Sequence, residues 1–210
     1  MRHLQFRALA AEHREILAPV KLKRLARLED QRHKSSAPRR LLLPLPICPP
    51  NPGKGGNIYW TAETFPTLEA AQAATTDAAV AVEIEGMSWL LTLGPEDKVG
   101  HGGRWMASIG PIDRFDAPSY LLRVNISDAP TGTETSVHSH PGSEAMYVMS
   151  GEVTVNWPDK TSVIKAGEGS PGQPLHTPML AASTGNNTLK ELIMFVVDPS
   201  QDFARPEKMD

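Results

Sequence analysis

Residues 57–210 predict an all-β fold, a sandwich or a barrel, and three observations carry that prediction. Short apolar-rich segments recur at close spacing, each bounded by turn residues. The 19 prolines and 16 glycines in 210 residues suit a turn-rich β chain better than a helical one. Helix-forming composition, meanwhile, is concentrated at 1–33 and in one short stretch at 67–74.

Taken in order, residues 1–17 and 20–31 carry Ala, Leu, Glu and Arg at helical density, interrupted at Pro19. Leu22, Leu25 and Leu28 stand among Lys21, Lys23, Arg24 and Arg27, so this stretch reads as a short basic amphipathic helix, solvated or else docked on a membrane surface or a partner. Residues 34–56, rich in Pro, Arg, Gly and Ser, read as a linker. The expected organisation is therefore a helical N-terminal extension with linker over 1–56 and a barrel over 57–210.

Within the barrel, 57–60 reads as an edge strand and 67–74 as a short helix. Strands are expected at 78–85, 88–93, 120–126, 135–140, 144–149, 152–157, 161–165, 179–183 and 189–197. Pro158-Asp159-Lys160 and Ser150-Gly151 mark turns between them. No internal repeat is evident, which predicts one barrel.

Composition excludes several classes. A formal charge of −3 argues against a nucleic-acid binder that works by neutralising phosphates. No run of about 18 apolar residues exists, so no transmembrane helix is expected. The single Cys48 excludes an intramolecular disulfide framework. Arg39-Arg40 precedes an apolar run, but that run is short, holds Pro44 and Pro46, and lies far from the N-terminus; a cytoplasmic location is expected over export.

The most informative stretch is G-T-E-T-S-V-H-S-H-P-G-S-E-A-M-Y-V-M-S-G, from Gly132 to Gly151. His138 and His140, two apart on a strand, share a face because strand side chains alternate. The Pro141-Gly142-Ser143 turn returns the chain with Glu144 beside both imidazoles. Two imidazole nitrogens and one carboxylate suit a single divalent transition metal: Fe, Mn, Ni, Cu or Zn.

This stretch resembles the first motif of the cupin superfamily: Gly, five residues, His-x-His, three or four residues, Glu, six residues, Gly. Gly132, His138, His140, Glu144 and Gly151 all fall in place. The resemblance implies an antiparallel jelly-roll barrel with a metal in its mouth. The family's second motif implies a fourth ligand, here His176, five positions after Pro171. Gln173 stands where that motif has Gly, Leu180 where it has Asn, and Gly167 comes two residues late.

For function, the resemblance implies a small organic substrate and dioxygenase or other oxidoreductase chemistry, with Glu144 doubling as proton acceptor. The alternatives are a metal-dependent isomerase or lyase, or a non-catalytic small-molecule-binding cupin. Barrel edges that need covering predict a homodimer. Strand parity places Glu134, Ser136, Met146 and Val148 toward the cavity, with Val153, Val155 and Trp157 opposite them, and turns Tyr147 away. Glu134 at the rim is expected to be solvated, as is His101 in its Gly-rich loop. No G-x-S-x-G elbow, phosphate-cradling Gly-rich loop or His-Glu-x-x-His helix is present.

Overall fold

A computed structural model describes residues 14–16, 57–96 and 100–209. The architecture is the expected antiparallel β fold, with one short helix among the described residues. The central sheet orders β1 (Arg14–Ile16), β6 (Leu121–Ala129), β12 (Leu189–Val197) and β8 (Gly142–Ser150). Against one face lies a sheet of β3 (Ala79–Ile84), β4 (Met87–Pro95), β2 (Ile58–Phe65) and β5 (Arg104–Ile112). Against the other lies β10 (Thr161–Lys165), β9 (Glu152–Asn156) and β11 (Leu180–Ser183). A last pair joins β7 (His138–Ser139) to β13 (Arg205–Pro206).

This stacking explains why β12 reads as an unbroken apolar run. Leu192, Met194 and Val196 enter the core shared with the β2–β5 sheet, packing near Trp60, Trp89 and Ile109. Ile193, Phe195 and Val197 enter a second core with Val148, Val153, Val155 and Met179. A strand covered on both faces needs no polar alternation. Each such buried side chain contributes about 1.5–3 kcal/mol.

Local chemistry sets the joints. Ile84 pairs with Met87 across a two-residue turn, Glu85-Gly86, and both turn residues have positive φ (53° and 72°), the geometry that fits strand twist. The helix α1 (Leu68–Ala73) is capped by Thr67, whose Oγ accepts from the Ala70 amide at 3.1 Å. It seats Ala71 against Ala81 and Leu90.

Several expectations are corrected. The strand expected at 57–60 is longer and is not an edge: β2 is hydrogen-bonded to both β4 and β5. β5 was not expected; Gly110 and Pro111 lie within it, and the pairing with β2 slips between Ile58 and Trp60, which accommodates them. The strand expected over 135–140 shrinks to two residues. Of the segment expected to be helical at the N-terminus, residues 14–16 form a strand along β6, satisfying backbone groups that a helix there would leave unpaired. The rest of 1–56, Cys48 included, lies outside the described residues. No described helix is long and apolar enough to cross a membrane.

Candidate metal centre

The site is built where β7 turns into β8. His138 and His140 flank Ser139, whose hydroxyl points away to Glu207 Oε1 at 2.8 Å, so alternation brings both rings to one side, 5.0 Å apart. The chain then runs close against β12. A Cβ on Gly142 would lie 2.6 Å from Val197 Cα and closer still to the Val196 carbonyl oxygen, so glycine is needed for the approach. Two residues on, Glu144 stands opposite Phe195 of β12.

His138, His140 and Glu144 each present a ligand atom, and all three lie within 4.8 Å of one another. His140 and Glu144 are almost fully buried, and His138 partly. Both rings are oriented by backbone carbonyls. His138 Nδ1 lies 2.8 Å from Ser136 O, and His140 Nδ1 lies 2.6 Å from Phe203 O. Donation from Nδ1 leaves each Nε2 as a lone pair. Phe195 and Phe203 pack on His140 with ring centroids 5.0 and 4.8 Å away.

The electrostatics are unusual. Glu144 Oε2 lies 3.1 Å from His140 Nε2 but finds no hydrogen-bond donor. An imidazole lone pair therefore faces a buried carboxylate oxygen, and both are acceptors. A cation is what such a donor set fits.

Above these residues lies a cavity of ≈ 550 Å³. Met146, Val153, Leu189, Ile193 and Phe195 give it an apolar wall. Glu134 and Ser136 line its rim and are exposed, the solvation that was expected for Glu134. Val155 and Trp157 are buried on the same side. Tyr147 turns the other way and packs edge-on against Trp89, 6.0 Å between centroids.

His176 is not brought into the group. It is exposed and has a positive φ of 54°, and its amide donates to His140 O at 2.9 Å. This loop braces the backbone of His140 while turning its own ring to solvent. His101, read as a solvated loop residue, instead clasps Glu63. Its amide and Nδ1 reach the buried carboxylate at 2.9 and 3.0 Å, and the Gly103 amide adds a third contact at 3.1 Å.

The residue missed from sequence is Glu191. It is 3% exposed, lines the same cavity beside Asn125 and Ser127, and has an Oε2 with no partner. Its signal was an acid within the apolar run L-K-E-L-I-M-F-V-V, in phase with Ile193 and Phe195.

Burial pushes the Glu191 carboxyl up from 4.5 to about 8, with the Glu144 charge adding to the rise and the Ser127 hydroxyl opposing it. The folded value lies above the unfolded one, so between them the folded protein holds a proton that the unfolded chain has released. This contribution to stability is full below about pH 4.5 and is lost as pH rises through about 8. Metal-free wild type should therefore weaken relative to Glu191→Gln across that window, by about 1.4 kcal/mol per pH unit at most. Urea unfolding at about pH 5 and about pH 8 measures it; parallel pH dependence in the two proteins would refute it.

Antiparallel sheets surround the cavity, with His138, His140 and Glu144 at one end, an arrangement similar to that of a cupin-type β-barrel. No protein-family model matches the chain, and no curated protein does. Among solved structures, a cupin-like protein from Thermotoga maritima aligns at 18% identity over 42% of this chain and 65% of its own, with a TM-score of 0.38. A polyketide cyclase from Streptomyces resistomycificus aligns at 18% identity over 42% of this chain and 62% of its own, with a TM-score of 0.36. A salicylate dioxygenase from Pseudoaminobacter salicylatoxidans aligns at 20% identity over 35% of this chain and 19% of its own, with a TM-score of 0.32. In each case the match spans less than two thirds of the other chain.

Proposed function

We propose that His138, His140 and Glu144 hold one divalent transition-metal ion and that the cavity carries a small organic molecule, which is oxidised with dioxygen. The observation behind this reading is the buried, donorless Glu144 Oε2 facing the lone-pair side of His140. A bound ion supplies Lewis acidity and, when redox-active, electron transfer to oxygen. The chain's own residues do the rest. Ser136 O and Phe203 O hold the two imidazoles in one tautomer and orientation. Met146, Ile193 and Phe195 exclude water and shape the apolar part of the pocket. Glu144, which would help hold the ion, also offers a carboxylate oxygen able to accept a proton.

A second reading is isomerase or lyase chemistry, favoured by Glu191, a cavity carboxyl able to move a proton without any redox change.

The test begins with protein purified without chelator or affinity nickel. Elemental analysis should find about one ion per chain. Anaerobic loading with Fe(II), Mn(II), Ni(II) or Zn(II) is followed by oxygen-uptake assays over aromatic and thiol substrates. Uptake lost in His138→Ala supports the oxygenase; turnover without oxygen supports the second reading. Failure of every metal to bind sinks both.

A further inference from the structure

The metal end of the cavity leaves its opposite end unexplained. On β12, Glu191 is paired with Val148 while Phe195 is paired with Glu144. Glu191 therefore lies four strand positions from Phe195, on the same side of the sheet and deeper along the cavity than Glu144, whose charge it still feels. Across from Glu191, β6 contributes Ser127, its cross-strand partner, and Asn125, whose Oδ1 is held by Arg123 Nε at 2.9 Å. Ser127, Asn125 and Glu191 are all buried and line the cavity. Between the two ends the wall is apolar.

An unpartnered buried carboxyl oxygen costs stability. A well-packed Leu at 191 would extend the apolar row of Ile193 and Phe195 without that cost. The cavity thus carries a polar group that the fold does not need. At the other end, one carboxylate against a divalent cation leaves a net positive charge, which attracts an anionic oxygen.

We propose that Glu191, with Ser127 and Asn125, is a substrate-anchoring subsite that hydrogen-bonds a hydroxyl group, so that the ligand is a small hydroxylated carboxylic acid with an apolar body. Its carboxylate lies toward the metal end and its hydroxyl toward Glu191. This rests on the metal reading for the carboxylate end alone; the hydroxyl end stands on the geometry of β6 and β12.

Matched acids test it: benzoate, phenylacetate and phenylpropanoate, each against its para-hydroxy counterpart, bound to Zn(II)-loaded protein and followed by calorimetry. Wild type should bind at least one hydroxylated acid about tenfold more tightly than its parent, the effect of one well-made buried hydrogen bond. Glu191→Leu should erase that preference, and Glu191→Gln, which can still hydrogen-bond, should keep most of it. Glu191→Ala, which cannot overpack, serves the same purpose if the leucine variant fails to fold. Metal-loaded wild type with no hydroxyl preference overturns the subsite, as does a preference that survives Glu191→Leu. Zinc content separates the two readings: wild type that binds no zinc yet prefers the hydroxylated acids refutes the metal centre and leaves the subsite standing.

Discussion

Replacing His140 with Ala is expected to abolish metal binding and, with it, the stabilisation that metal gives. Wild type in metal at about 100 times its dissociation constant gains about 2.7 kcal/mol, because only the folded chain assembles the three ligands. For a chain of this size that corresponds to an increase of about 5–10 °C in melting temperature. His140→Ala removes the best-buried imidazole of the set, so its melting temperature should not respond to metal and its metal content should fall close to zero. Thermal melts with and without added Zn(II), beside elemental analysis, measure both. A full metal-induced shift in His140→Ala would mean that the ion sits elsewhere.

The second large effect lies outside the cavity. Trp89, on β4, is 1% exposed and packs edge-on against Tyr147 of β8, which ties the outer sheet to the central one. Trp89→Ala should cost about 3–5 kcal/mol, through lost burial and the cavity left between sheets that cannot collapse together. Trp89→Phe should cost far less. It keeps an aromatic edge against Tyr147 and removes an indole N–H that has no hydrogen-bond partner. Denaturant unfolding of the two variants tests the contrast, and equal losses would argue against it. Because Tyr147 lies three residues from Glu144 on β8, loosening this contact should also weaken metal binding.

Much of the site was legible because its information is local. His138, His140 and Glu144 lie within seven positions, and strand alternation alone puts the two imidazoles on one side. The same alternation correctly turned Tyr147 away from the cavity and Val153 toward it. Glu191 stands 47 positions beyond Glu144, and its one local sign, an acid in phase with Ile193 and Phe195, does not tell which face of the strand lines the cavity. β12 is apolar on both faces, so the alternation that would have shown its direction is masked. β5 holds Gly110 and Pro111, which break most strands, and β2 looked like an edge because its second neighbour went unseen. His176 has nearly the right sequence distance from its motif, but a positive φ in its loop turns the ring outward.

By itself, then, the sequence determined the β class and the spacing of the two histidines and the acid, whereas Gly142, read as a turn residue, is the first residue of β8 and lets it approach β12. Class and spacing depend on the period of a strand, which residues carry wherever they sit. Only the tertiary structure decided that a second sheet covers the outer face, that His176 stays outside the ligand group, and that Glu191 shares the cavity. Those outcomes depend on which distant strands pair and in what register. Many near-equal hydrogen-bond ladders compete for that choice, and packing of the two cores selects among them.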